Sequence, residues 1–322
     1  MDPTAAALAD DLDVLACPAT GQKLHFDRDG LNLVAADGTT SYRLSGGVAC
    51  LMPSSAGGAD QVQEFYDDKG WAQSSAGVFG DTETFVDTRR APFAFTKRCM
   101  RRLQRHFRRG GKYLLDAGSG PIPHEELARY GEHFAKRVCV DLSVSALRVA
   151  RAKLGDRGVY VQGDLTRLPL QDDCMDAVTC NHVIYQIPDP EAQAKAFREI
   201  WRVLKPGGIA VVVYWWSHAP LEWRLGKIAR LLGRPTPIRV SAADGPQPVH
   251  APQSVEWFET QRWPFHFRYE SYRAITNKFM REHLHDDWRG RVFLDGVFAL
   301  QTLAPTMCGR DGAIPAILIF KD

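Results

Sequence analysis

The run Lys112-Tyr113-Leu114-Leu115-Asp116-Ala117-Gly118-Ser119-Gly120-Pro121 constrains this chain more than any other stretch. An apolar run that ends in an acid reads as a short buried strand. Gly118 and Gly120 then permit positive φ and leave no Cβ between the backbone and a ligand. Pro123-His124-Glu125-Glu126-Leu127-Ala128 follows as a helix start, with proline early and acids in the first turn. Strand, glycine turn and helix N-terminus together make the nucleotide corner of a doubly wound α/β domain.

Downstream, the pattern alternates. It predicts strands at 137–141, 159–162, 175–181 and 209–215, with helices at 123–131, 143–153 and 190–203. Such alternation is the signature of a parallel sheet. Residues 216–250 hold five prolines and read as irregular. A helix at 252–261, a strand at 264–270, a helical insertion at 271–304 and a strand at 314–320 complete the reading. Upstream, residues 13–53 read as a compact β-rich module with short strands at 13–18, 23–26, 31–34, 42–44 and 48–52. Asp27-Arg28-Asp29-Gly30 is its hairpin signal. Residues 53–59 have linker composition, and 60–110 read as mainly helical. In that stretch Cys99, Met100, Leu103 and Phe107 share one face, with basic residues covering the rest.

Two acids narrow the ligand. Asp141 ends the second strand, where a carboxylate can accept both hydroxyls of a ribose, in NAD or in S-adenosylmethionine. A dinucleotide fingerprint needs a third glycine three residues after Gly120, and that position is Pro123. Asp116 beside the turn would repel a pyrophosphate and attract the α-ammonium of a methionine moiety, so electrostatics favour S-adenosylmethionine.

Gln162-Gly163-Asp164-Leu165-Thr166-Arg167-Leu168-Pro169-Leu170, Asp173-Cys174-Met175-Asp176-Ala177-Val178 and Arg202-Val203-Leu204-Lys205-Pro206-Gly207-Gly208 follow in order. With these the chain closely resembles the class I S-adenosylmethionine-dependent methyltransferases, of the type-11 and ubiquinone–menaquinone kind, over about residues 60–320. The resemblance implies a Rossmann-like sheet of seven strands, mostly parallel with the last antiparallel. It implies that Asp116, Gly118 and Gly120 hold the methionine end of S-adenosylmethionine. Asp141 would bind the ribose, Leu142 pack on the adenine, Asp164 accept from the adenine amino group and Leu165 supply a backbone contact. Asn181 and His182 would lie beside the transferred methyl, and Tyr66 would close over the cofactor. Pro121-Ile122 stands where the family turn has its third glycine.

The sulfonium donor is already a good leaving group, so such an enzyme mainly holds an acceptor in line. His182 is the candidate general base by position; His218, His250 and His266 are weaker candidates. The N-terminal stretch resembles the small zinc-ribbon-like family that includes the activator subunit of tRNA methyltransferases. The ligand positions of that family fall on Cys17, Thr20, Ala35 and Gly38, of which one can bind zinc, so a metal-free ribbon is expected.

The domain reading is therefore a ribbon-like module at 1–55, a linker and lidding helices at 56–110, and a methyltransferase domain at 111–322 with cap insertions at 216–250 and 271–304. Aromatics gather after the fifth strand: Trp215, Trp216, Trp223, Trp257, Phe258, Trp263, Phe265, Tyr269 and Tyr272. An aromatic cap over a small organic acceptor with an O, N or C nucleophile is expected. Net charge is +2, so nucleic acid is not expected as a partner, although Lys97 to Lys112 is densely basic. An RNA-base methyltransferase, which also joins a zinc ribbon to this fold, is the alternative, and a non-catalytic binding protein the more distant one. The seven cysteines form no CxxC pair, the start has no basic leader, and the apolar run from Ile209 to Trp216 is too short for a membrane. A cytoplasmic protein with reduced thiols is expected.

Overall fold

The computed structural model describes residues 8–52, 86–233, 235 and 250–322. Among these residues eleven strands form one sheet in the order β1-β2-β3-β4-β7-β6-β5-β8-β9-β11-β10. They are β1 (Leu24–Phe26), β2 (Asn32–Ala35), β3 (Ser41–Ser45), β4 (Val48–Cys50), β5 (Gly111–Ala117), β6 (Phe134–Asp141), β7 (Gly158–Gln162), β8 (Met175–Asn181), β9 (Leu204–Val213), β10 (His266–Arg273) and β11 (Ile314–Phe320).

The expectation of seven strands is corrected here. β4 pairs in parallel with β7, Ala49 opposite Val161 and Cys50 opposite Gln162, and so carries β1–β3 into the main sheet. The Leu51 N–H extends the pairing to the Gln162 carbonyl at 2.9 Å. An unpaired edge on β7 would leave a row of unsatisfied backbone groups, and β4 covers it with a strand whose Val48 and Ala49 are buried. The predicted strand at 13–18 is instead a 3₁₀ turn at Leu12–Val14 followed by single bridges. The bridge of Leu15 with Leu170 pins the segment to the loop after β7, with Ala16 N–H donating to the Pro169 carbonyl and Gln171 N–H to that of Val14, while the other bridge joins Ala16 to Lys23.

From β4 through β7, β6, β5 and β8 to β9 the strands run parallel, and β11 runs antiparallel between β9 and β10. The central strands are apolar on both faces because helices cover both sides. Chain order reverses between β5 and β8, which places a crevice at the carboxyl ends of these strands.

The helices follow their capping signals. α1 (Arg90–Leu103) buries Phe95, Cys99, Met100 and Leu103, and ends in a 3₁₀ turn at Gln104–Phe107. α2 (Glu125–Ala128) is a single turn after the glycine corner. Ser143 caps α3 (Val144–Leu154), its hydroxyl accepting from Ala146 N–H. Asp189 caps α4 (Pro190–Val203), with Pro190 at its first position. α5 (Pro220–Leu231) lies inside the stretch read as irregular. Proline at its start is an initiator there and not a breaker. α6 (Val255–Thr260), α7 (Asn277–His283), α8 (Trp288–Leu303) and α9 (Pro305–Asp311) complete the described helices.

The basic face of α1 is largely occupied within the molecule. Arg98 pairs with Asp295, Arg105 with Glu270, and Arg102 donates to the Ser271 carbonyl. Lys97 and Arg101 lie 3.8 and 3.9 Å from Glu126. No single helix among the described residues is long and apolar enough to cross a membrane.

Candidate active site

A cavity of about 1130 Å³ opens at the carboxyl ends of β5, β6, β8 and β9. Asp116, Gly118, Asp141, Leu142, Asp164, Leu165, Asn181 and His182 all line it, so the structure brings most of the predicted residues together. Gly120 is not in the lining, but its N–H donates to Asp141 Oδ2 at 2.8 Å. Tyr66 lies outside the described residues.

The strand ends explain this convergence. Asp116 is next to last on β5, and Gly118 and Ser119 both donate their N–H to the Val140 carbonyl at the end of β6. The glycine corner is thereby strapped to its neighbour strand. Gly118 has φ of +73°, and a Cβ there would meet Val183 Cγ2 at 2.4 Å. Only glycine permits that approach without a shift of Val183.

Ile122 resolves the departure from the family turn. It adopts φ of +51°, the left-handed region usually left to glycine, although it is β-branched. Its side chain is 3% exposed, packed with Val48, Cys139, Leu147, Ala150 and Tyr160. Lys153 Nζ donates to the Pro121 and Ile122 carbonyls at 2.7 and 2.9 Å. Burial and a lysine clamp hold a dihedral that glycine would adopt unaided.

Asp116 has a partner that sequence reasoning missed. Arg137, on β6, places Nε at 3.0 Å and Nη2 at 2.5 Å from Asp116 Oδ2. Burial works against the guanidinium charge, but the Asp116 carboxylate outweighs it and raises the Arg137 pKa. Arg137 also donates to the Leu127 and Ala128 carbonyls at the end of α2. An arginine directly before the buried apolar run Val138-Cys139-Val140 was the available signal. Asp141 Oδ1 accepts from Ser143 N–H at 2.9 Å, so both its oxygens are oriented by backbone donors. Asp164 Oδ1 accepts from Thr166 N–H at 2.7 Å, and Asn181 Nδ2 donates to Thr179 Oγ1 at 2.8 Å.

His182 follows β8 with φ of +61°, and its N–H donates to the Val213 carbonyl. Its Nδ1 lies 3.2 Å from the Tyr185 hydroxyl, and its ring centroid 5.3 Å from that of Tyr272. Burial first, then the positive charge of Arg273, pushes its pKa down to about 3. Such an imidazole is neutral at pH 7 and a weak base, below the range that suits general base catalysis at that pH. Burial also lowers the pKa of His124 and of His250, which both line the cavity. His218 lines it too. His266 does not; it is exposed at the start of β10, 3.4 Å from Asp322.

The aromatic cluster divides. Trp215, Trp216, Trp223 and Tyr272 line the cavity. Phe258, Trp263, Phe265 and Tyr269 pack in the core with Phe197, with Phe258 and Trp263 centroids 4.8 Å apart. Trp257 is packed against that core. In the N-terminal segment the Cys17 thiol lies 3.2 Å from the Tyr42 hydroxyl. Among the described residues no three His, Cys, Asp or Glu side chains are grouped to hold a metal.

Residues 115–212 match the family described as "Methyltransferase domain". The ubiquinone/menaquinone biosynthesis C-methyltransferase UbiE of Idiomarina loihiensis is 35% identical over 112 residues, 33% of this chain and 43% of that protein. The UbiE of Xylella fastidiosa strain M23 is 42% identical over 122 residues, 36% of this chain and 46% of that protein. The chain thus spans less than half the length of these curated relatives. A solved SAM-dependent methyltransferase from Archaeoglobus fulgidus aligns over 75% of this chain and 98% of its own, at 16% identity and a TM-score of 0.43. Over residues 115–212, then, the chain is similar to methyltransferase domains.

Proposed function

We propose that this protein transfers a methyl group from S-adenosylmethionine to a small organic acceptor by in-line displacement. The observation that carries the reading is the convergence of Asp116, Asp141 and Asp164 on one cavity beside the Gly118 corner. These residues fit the cofactor chemically: a carboxylate for an ammonium, a carboxylate for ribose hydroxyls, and a carboxylate for an amino group. When bound, the cofactor supplies an electrophilic methyl on a sulfonium. The chain's own residues do the rest. Arg137 orients Asp116, the Gly120 and Ser143 N–H groups orient Asp141, and Trp215 and Tyr272 wall the cavity against water.

His182 serves in this reading as a neutral hydrogen-bonding group beside the acceptor. Displacement from a sulfonium needs a base only for weakly acidic hydroxyls or protonated amines. The UbiE relatives are named as C-methyltransferases, which favours a carbon nucleophile. An RNA acceptor is disfavoured, since Arg98 and Arg102 of α1 and Arg105 of the turn after it are directed to Asp295, Ser271 and Glu270. Residues 1–55 are read as the ribbon-like module, 56–110 as lidding segments, and 216–250 with 271–304 as the cap over the acceptor.

Isothermal titration with S-adenosylhomocysteine tests the cofactor assignment; no binding at millimolar ligand would sink it. Asp141→Asn should weaken that binding about 10- to 100-fold, the scale of a lost charge-assisted hydrogen bond. Transfer of labelled methyl into a fractionated cell extract would then report the acceptor.

A further inference from the structure

Beyond the cofactor residues, the cavity wall holds a buried cation with no anion beside it among the described residues. Arg273, the last residue of β10, is 4% exposed and lines the cavity. Its Nη1 donates to Thr96 Oγ1 at 3.2 Å and to Asn277 Oδ1 at 2.8 Å, both neutral. Nε is buried without a hydrogen-bond partner, and Nη2 makes none among the described residues. No carboxylate among the described residues lies within 4.0 Å of it. Glu222, also in the cavity wall, accepts instead from Thr276.

The backbone is built to place this group. Register between β10 and β11 shifts between Ser271 and Arg273, so that Tyr272 is the extra residue of a bulge. In a regular strand consecutive side chains point to opposite faces. The bulge lets Tyr272 and Arg273 line one cavity, which is the re-aiming role of bulges beside functional sites. The Arg273 guanidinium lies 5.4 Å from the Tyr272 ring centroid, and that ring faces His182.

A buried guanidinium without a counter-charge is costly, and breaking such a pair is more costly than never forming it. Nε is sealed in the wall, which leaves Nη2 as the N–H that a carboxylate in the cavity can reach. Thr96 and Asn277 hold the opposite side and fix the plane. We propose that Arg273 binds a carboxylate of the methyl acceptor, so that the substrate is a small organic acid with an apolar or aromatic body. The inference rests on the methyltransferase reading and deepens it.

The test uses the full chain saturated with S-adenosylhomocysteine and two probes of equal shape, naphthoate and naphthamide. Wild type should bind the acid about tenfold tighter or better, which is one decade on the affinity scale. Arg273→Met should abolish that preference, Arg273→Lys should keep part of it, and neither should change S-adenosylhomocysteine affinity more than about twofold. Equal binding of acid and amide by wild type overturns the proposal, and that arm needs no variant to fold. So does a preference that survives in Arg273→Met. A tenfold or greater loss of S-adenosylhomocysteine affinity in Arg273→Met also overturns it, since the guanidinium would then serve the cofactor's own carboxylate. Failure of wild type to bind S-adenosylhomocysteine would instead strike the methyltransferase reading itself.

Discussion

Gly118→Ala should damage both stability and cofactor affinity, and the structure says by how much. The added Cβ would lie 2.4 and 2.7 Å from the two methyls of Val183. The left-handed φ adds a cost of about 1 kcal/mol for a residue with a Cβ. Overpacking of a tight contact costs about 1–3 kcal/mol, so the total is about 2–4 kcal/mol. Val183 cannot move alone: it follows His182, itself at positive φ, and precedes the fully buried Ile184. The strain would therefore pass to the end of β8 and to the cavity. Urea unfolding should show the loss in midpoint without a change in slope. Titration with S-adenosylhomocysteine should show a fall in affinity of about tenfold or more, equal to about 1.4 kcal/mol. Val183→Ala in the same chain should restore the steric part, with a coupling of about 1–3 kcal/mol, but not the dihedral part. A Gly118→Ala protein within about 0.5 kcal/mol of wild type that keeps its affinity would refute the reasoning. So would a Val183→Ala background that offers no relief.

Two further outcomes concern protons. Burial raises the pKa of Glu270, but His106 and Arg105 outweigh it and bring it down to about 2. A depressed acid stabilises above its unfolded pKa, near 4.5, and loses that contribution as pH falls toward 2. Glu270→Gln should thus cost up to about 3 kcal/mol at pH 7, with the gap to wild type closing between about pH 4.5 and 2; a gap that ignores pH would count against the triad. His182, held down to about 3, should show a ring-proton NMR titration midpoint below pH 4, and a midpoint near 6.5 would mean that the ring is solvated.

Local signals carried the elements whose ends are chemically marked. Met175–Asn181, Pro190–Val203 and Ile314–Phe320 are legible to the residue, because Asp189-Pro190 caps one, a continuous apolar run defines the last, and the first is a mostly apolar stretch bounded by Asp173-Cys174 and Asn181-His182. The carboxylates at the strand ends were legible for the same reason: each interrupts an apolar run. Four features were not. The pairing of β4 with β7 leaves no local trace, since Val48-Ala49-Cys50 would suit any open edge. The Asp116–Arg137 pair joins two strands through space. Helix α5 hides behind a proline that initiates it, and a Gly226 that a buried face accepts. Ile122 shows that a turn needs a dihedral and not a residue type, so its identity was misleading while its position was right.

The union of β4 with β7 also sets an order of events during synthesis. Ala49 cannot meet Val161 until roughly a hundred further residues have left the ribosome, about 5–20 s at cellular elongation rates. Through that interval β1–β4 persist only as a small meander with an open side. Once β7 is made its edge is there for β4, and β11, the last strand in the chain, has its place between β9 and β10.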